Sequence, residues 1–235
     1  MVLLFSCLVI NMVKPRVPKA YGTTGEKETR NFDLFMRGLR DKGALDPSRL
    51  INAGISKGVV LQIGHGPGYT GLEWLKKTEQ TSLKALDVSS EMIEIAKKNL
   101  KEYPGLENRI EYVNCKADNM VFEDECIDGV FCNGELHEWP DPVAVLNEIN
   151  RVLKPGGRYF ITAHNRAVSS LSLMLEKKII MRGMPEDIWQ EYMSVINASY
   201  TYNELEEILN KTNLKKWQII KSKNVMRIVG EKIKS

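Results

Sequence analysis

No uncharged run in this sequence approaches the roughly 20 residues that a membrane-spanning helix requires. The charge-free segment at residues 1–13, MVLLFSCLVINMV, falls short of that length, and it lacks the basic start and small-residue cleavage site of a secretory signal. Cysteine is scarce. Cys7, Cys115, Cys126 and Cys132 form no C-x-x-C pair and match no zinc spacing, so no metal site is expected and a reducing, cytoplasmic setting fits. With only 9 prolines and no repeat or low-complexity tract, disordered and fibrous classes are excluded. An excess of one charge is also missing. Lys+Arg 33 against Asp+Glu 30 leaves +3, too weak a field to imply a nucleic-acid partner. What remains is a chain of 235 residues, 43% hydrophobic and 27% charged, sized for one domain with a buried core.

Residues 1–13 admit three readings: a buried strand or helix, a weak membrane or partner contact, or a leader upstream of a start at Met12. The sheet outlined below is complete without them. They are therefore read as an apolar appendage to a single domain over 14–235, able to add at most weak peripheral membrane contact.

From residue 57 onward, short β-branched runs alternate with amphipathic stretches, the pattern of a mostly parallel α/β sheet. Strands are expected at Val59–Ile63, Leu83–Asp87, Ile110–Cys115, Gly129–Cys132 and Arg158–Ala163, with Asp128 leading the fourth and Pro155-Gly156-Gly157 turning the chain into the fifth. Helices are expected over about Thr70–Lys77, over Glu91–Lys101 behind a Ser89 or Ser90 cap, from Pro142 to Leu153, and over 201–211 behind Thr201. Trp217–Lys221 and Val225–Gly230 are close enough to pair as a terminal antiparallel hairpin, giving seven strands with helices on both faces. Two segments stand outside the alternation: 14–56, with a helix near Glu28–Asp41, and 164–200, with helical stretches in LSLMLEKKIIM and Glu186–Asn197. Both are read as a helical cap over one edge of the sheet.

The chemistry-bearing feature is Gly64-His65-Gly66-Pro67-Gly68, placed after a strand and before a helix. Ligands of open α/β sheets bind beyond the carboxyl ends of the strands, and a glycine turn there lets backbone approach a ligand closely. Asp87 ends the second strand 19 positions after Gly68, where a carboxylate can accept both hydroxyls of a ribose. An adenosine-like ligand follows. Two cofactor classes fit: Gly66–Gly71 satisfies the dinucleotide pattern G-x-G-x-x-G, and Gly64–Gly68 satisfies the G-x-G-x-G turn of S-adenosylmethionine (SAM) enzymes. An NAD-dependent oxidoreductase is thus the rival reading.

The later residues decide between them. VVLQIGHGPG, LKALDVSSEMIEIAKKN, CKADNMVFEDECIDGVFC and LHEWPDPVAVLNEINRVLKPGGRYFIT, in that order over about 59–163, resemble the motifs of class I SAM-dependent methyltransferases, in the group like the ubiquinone and menaquinone biosynthesis methyltransferases. The resemblance implies a Rossmann-like fold and SAM as cofactor. It would place Gly64, Gly66 and Gly68 along the methionine tail and ribose with His65 beside them, and Asp87 at the ribose hydroxyls. Val88 and Met92 would lie at the adenine or ribose, the Ala117-Asp118 turn at the adenine amine, and Asn133 and Gly134 near the methionine amino group. Tyr21 would reach the carboxylate. The chain departs from the family's pattern at Gln62 and Lys116, where the family has acids. Gln62 cannot neutralise an ammonium group.

A sulfonium methyl is already electrophilic, so the protein must chiefly align a nucleophile and exclude water. If the nucleophile needs deprotonation, His137 is the candidate base, with His164 behind it. Phe32, Phe35, Met174, Met181, Met184, Trp189, Tyr192 and Met193 in the two cap segments suggest a small apolar or aromatic acceptor. The basic C-terminal stretch is the one feature favouring an RNA acceptor, while Asn133-Gly134-Glu135-Leu136 lacks the Pro-Pro-aromatic run used on exocyclic base amines. A SAM-binding regulatory protein without catalysis is the third reading, and a homodimer is left open.

Overall fold

The apolar runs line up in one sheet. In the computed structural model, which describes residues 13–19, 22, 25–179, 182, 186–222 and 224–233, the strands are β1 (Gly58–Ile63), β2 (Thr81–Asp87), β3 (Ile110–Asn114), β4 (Ile127–Asn133), β5 (Leu153–His164), β6 (Lys216–Lys221) and β7 (Val225–Glu231). Their order is β3-β2-β1-β4-β5-β7-β6; β1 to β5 run parallel, and β7 is antiparallel to both β5 and β6. The central strands read as near-continuous apolar sequence because both of their faces are covered. One face packs α5 (Pro142–Val152) and α8 (Tyr202–Asn210) around Leu61, Ile63, Val130 and Ile161. The other packs α2 (Ser48–Asn52) and α3 (Tyr69–Lys76) around Val60, Phe131 and Phe160, with α4 (Ser90–Leu100) beside α3.

Helix starts follow local chemistry. Ser89 Oγ accepts the Met92 N–H at the head of α4, Asp141 accepts from Val143 and Ala144 with Pro142 at the first position of α5, and Thr201 forms a capping box with Glu204 on α8. Three expectations need correction. β5 starts at Leu153, ahead of Pro155-Gly156-Gly157, because Leu153 pairs with Ile127, while Gly156 N–H and Gly157 O bond to Lys232 O and N–H (2.8 and 2.9 Å) across a shifted register. The turn residues are a bulge inside the strand. Asp128 lies within β4 instead of before it, and its carboxylate accepts the Val59 N–H (2.8 Å) and Lys154 Nζ (2.8 Å), tying three strand starts together at the end opposite the glycine turn. The five-residue α2 escapes the periodicity because it is too short to show any.

The cap consists of α1 (Glu26–Asp41), which packs on α3, α4 and α7, together with α6 (Ser170–Ile179) and α7 (Glu186–Ala198). An N-terminal strap docks on the end of α7: Val17 N–H donates to Asn197 O (3.0 Å), and Arg16 donates to Ala198 O (2.6 Å) and His137 O (2.8 Å). Residues 1–12, Tyr21, Met181 and Met184 lie outside the described residues. Among the described residues no helix is long and apolar enough to cross a membrane.

Candidate cofactor site

The site is assembled from backbone before side chains enter it. Gly64 (φ 66°) and Gly66 (φ 50°) take left-handed conformations that residues bearing a Cβ rarely adopt. Space forbids a side chain as well: a Cβ on Gly64 would overlap Glu135 Cγ, and one on Gly66 would lie 2.8 Å from Phe32 Cε1. The N–H groups of Gly64 and His65 both donate to Leu86 O (2.9 and 3.2 Å), lashing the turn to the end of β2. Gly66 N–H donates to Asp87 Oδ2 (2.9 Å), and Asp87 Oδ1 accepts from Ser89 N–H (3.0 Å). Asp87 is thus the brace between the glycine turn and the head of α4. Gly68 N–H closes the turn onto His65 O (3.0 Å) and Pro67 has no N–H, so every amide from Gly64 to Gly68 is taken internally.

Across the strand ends, Gly134 (φ 89°) turns β4 into a single 3₁₀ turn, Glu135–Glu138. At three residues per turn, positions i and i+3 share a side, so Glu135 and Glu138 point the same way. A narrow cavity separates the two turns. Gly64, Gly66, Asp87, Val88 and Met92 line it together with Phe32, Glu135, Glu138, Trp139 and Gly22 of the N-terminal segment.

Three carboxylates in one cavity dominate its electrostatics. Burial, together with the charges of Glu138 and Asp87, pushes the Glu135 carboxyl well above the usual carboxylate range. Burial acts on Glu138 in the same direction, but His137, Lys19 (Nζ to Oε1 3.5 Å) and the Gly22 N–H (3.1 Å to Oε2) outweigh it and hold that group below the usual value. Burial also lowers His65, against the pull of Asp87. His164 is also lowered, to about 4, by burial and by neighbouring His137.

The remaining sequence candidates divide by position. His65 is buried, its Nδ1 2.6 Å from Gly66 O and its ring edge-on to Tyr112, so it supports the turn from behind. Gly68 starts α3, where a Cβ would lie 3.2 Å from that of Ala96 on α4. Ala117 is fully buried in the core beside α5, Asp118 is half-buried, and Asn133 is exposed; with Gly134, these do not line the cavity. His137 is buried with Nδ1 2.6 Å from Gly134 O. A carbonyl can only accept, so Nδ1 carries a proton, and Nε2 lies 3.5 Å from Glu138 Oε1. Gln62 is buried under Gly71 of α3, with Oε1 unpartnered. Phe32, expected in the apolar cap, does line the cavity, while sequence reasoning missed Gly22, Trp139 and, chiefly, Glu135 and Glu138. Two acids three apart behind a glycine at a strand end were the available signal, but they read as companions of His137.

The strand order, with its last strand inserted antiparallel, and the glycine turn at the end of β1 define a Rossmann-like fold of the methyltransferase type. Residues 60–157 match the family model described as "Methyltransferase domain". Methyltransferase GfsG of Streptomyces halstedii is 26% identical over 151 residues, 64% of this chain and 48% of its own length. A ubiquinone biosynthesis O-methyltransferase of Xylella fastidiosa (strain 9a5c) is 28% identical over 192 residues, covering 74% of this chain and 73% of the relative. The chain spans about half or less of the length of several other curated relatives. In fold, a protein of Methanococcus maripaludis assigned to the SAM-dependent methyltransferases superposes with a TM-score of 0.71 at 24% identity, covering 93% of this chain and 98% of that one. Over residues 60–157 the chain is thus similar to methyltransferase domains, and its fold is the one that SAM-dependent methyltransferases share.

Proposed function

We propose that this protein transfers a methyl group from SAM to a small apolar or aromatic acceptor. The observation that carries the cofactor choice is the charge and hydrogen-bond state of the cradle. A dinucleotide pyrophosphate needs free N–H donors and a positive field. Here every amide of the Gly64–Gly68 turn is already bonded, and Asp87, Glu135 and Glu138 face the cavity. That field repels a pyrophosphate and attracts a ligand bearing a sulfonium and an ammonium group. Asp87 retains lone pairs beyond its two backbone donors with which to accept ribose hydroxyls. Gly64 and Gly66 offer the close backbone approach, and Val88 and Met92 offer apolar contact for the adenine.

When bound, SAM supplies an activated methyl, and the protein's part is to orient the acceptor, exclude water and, where needed, hold a proton. His137 is suited to hold that proton, since its Nδ1 is tied to Gly134 O and its Nε2 lies 3.5 Å from Glu138, whose carboxylate favours a proton there. Phe32 and Trp139 at the cavity, and the Trp189 and Tyr192 rings of α7 (centroids 5.7 Å apart), support an apolar or aromatic acceptor. A thermal-shift panel with SAM, S-adenosylhomocysteine and NADH, followed by an acceptor screen with labelled SAM, tests the reading. SAM and S-adenosylhomocysteine should raise the melting temperature, and label should pass to small phenolic or enolic acceptors. Stabilisation by NADH alone would overturn the cofactor assignment; binding without transfer to any acceptor would leave a SAM-binding regulator.

A further inference from the structure

We propose that Glu135 is the residue that recognises the methionine ammonium group of the cofactor, taking this role from the 3₁₀ turn after β4 while β1 offers only the neutral Gln62. The inference rests on the SAM-binding reading above and names how that site distinguishes one end of the ligand from the other.

Of the three carboxylates on the cavity, two are already satisfied. Asp87 accepts from Gly66 and Ser89 N–H, and Glu138 accepts from Gly22 N–H with Lys19 and His137 at 3.5 Å. Glu135 receives no hydrogen bond to its carboxylate from the described residues, and Lys19 is the one cation that acts on it at a distance. A carboxylate placed on a cavity without a donor is expensive to ionise unless a ligand brings the partner. Its position says which part of the ligand that is. In the sheet β1 lies between β2 and β4, so Asp87 and Glu135 stand on opposite flanks of the glycine turn, with Glu135 Cγ directly over Gly64. A ligand whose ribose meets Asp87 therefore extends its amino-acid tail toward Glu135. The alternative acceptor position, Gln62, carries no charge and is turned under Gly71 on the α3 side of β1.

The titratable groups facing Glu135 are Asp87, Glu138, Lys19 and Cys132, and burial with the two acids favours its protonated form. An arriving ammonium reverses that preference, so binding of the tail should expel a proton.

The test is calorimetry on the full chain with three ligands: SAM, S-adenosylhomocysteine, and 5′-methylthioadenosine, which keeps the adenosine but lacks both ammonium and carboxylate. Glu135→Gln should weaken SAM and S-adenosylhomocysteine alike by about ten- to a hundred-fold, the size expected for loss of one charge-assisted hydrogen bond. Methylthioadenosine affinity should not change, and ligand-free thermal stability at neutral pH should not fall. Equal weakening of all three ligands would make Glu135 a support for the cradle, weakening of SAM alone would assign it to the sulfonium, and no weakening would remove it from recognition; each overturns the proposal. The wild-type chain gives a second, mutation-free readout. In buffers of different ionisation enthalpy, followed from neutral pH down into the ordinary carboxylate range, S-adenosylhomocysteine should release more protons on binding than methylthioadenosine; equal release by the two ligands across that range overturns the proposal. If the wild type binds neither SAM nor S-adenosylhomocysteine, the cofactor reading fails first, and the failure is not that of Glu135.

Discussion

Helices α3 and α6 are close in length and both rich in apolar residues, yet they occupy opposite extremes of the molecule. In α3, Tyr69, Thr70, Gly71, Leu72, Trp74 and Leu75 are all buried, and Trp74 donates its indole N–H to Ile55 O (2.9 Å) while packing against Phe131 on β4. In α6 no residue is buried; Leu171 (63%), Met174 (47%), Leu175 (47%) and Ile179 (71%) stand exposed. The difference lies in what each helix has to pack on. α3 is delivered onto the sheet by the β1 turn itself, so the same residues that form the cradle also fill the core. α6 is delivered to the rim, where side-chain ties hold it to α7: Lys177 Nζ to Glu186 (2.8 Å) and Tyr192 OH to Glu176 (2.7 Å). The half of the molecule that carries the glycine turn is thus held by packing, and the cap, the proposed acceptor side, is left adaptable.

The largest expected effect follows directly. Trp74→Ala removes a fully buried indole and its hydrogen bond, and should cost about 3–5 kcal/mol in urea-induced unfolding, the range for large aromatic truncations. A cost near that of a surface substitution would mean that the two helices do not differ as described. The next effect probes the seam between the halves. His164 ends β5 with its ring edge-on to Tyr192 of α7 (centroids 5.4 Å). Its folded value of about 4 lies below the 6.5 of a free imidazole, so between those limits the unfolded chain binds more protons than the folded one. Stability should therefore fall as pH drops from about 6.5 to 4, by on the order of 3 kcal/mol, and level off above that window. His164→Gln should flatten the slope. If wild type already shows no slope there, the cap does not seal His164 and the seam is open in solution.

The same contrast decides what could be read from the sequence. The strands, the glycine turn, Asp87 and the Ser89 and Thr201 caps were legible because each is set by local pattern: apolar continuity, a forced left-handed backbone, a side chain answering an N–H two or three residues on. The bulge at Pro155–Gly157 was not legible, since only its partner strand β4 and the Lys232 backbone turn those residues from a loop into part of β5. Nor was the acidic wall. Glu135 and Glu138 face the cavity because a 3₁₀ turn eclipses every third residue and because Gly22, more than a hundred positions away, folds across to meet Glu138. Such contacts depend on topology, which spacing in the chain does not encode.

Within the half that carries the glycine turn, Asp87→Asn separates bracing from recognition. The amide keeps one acceptor oxygen for either Gly66 or Ser89 N–H and loses the charge, so it should cut SAM affinity by about ten- to a hundred-fold while lowering the melting temperature far less than Trp74→Ala does. The Glu135→Gln and Asp87→Asn variants should differ in one respect: methylthioadenosine, which carries the ribose, should be weakened only by the second. Loss of stability as large as that of the core variant would show that the brace matters more to the fold than to the ligand.

The smallest stability effect belongs to the cap, and it is the most informative about function. Leu175→Asn on α6 exchanges one exposed side chain for another, so its unfolding free energy should stay within about 0.5 kcal/mol of wild type. A row of exposed apolar side chains on a helix with no buried face has no structural reason to persist; in the acceptor reading it lines the way to the cavity and contributes apolar contact to whatever enters. Leu175→Asn should then raise the KM for an apolar acceptor while leaving SAM affinity and the pH dependence set by His164 untouched. Unchanged KM with unchanged stability would detach α6 from the acceptor, confining selection to Phe32, Trp139 and the rings of α7. A change in SAM affinity would be the more serious outcome, because it would mean that the adaptable half and the packed half are coupled through the sheet and not merely adjacent on it.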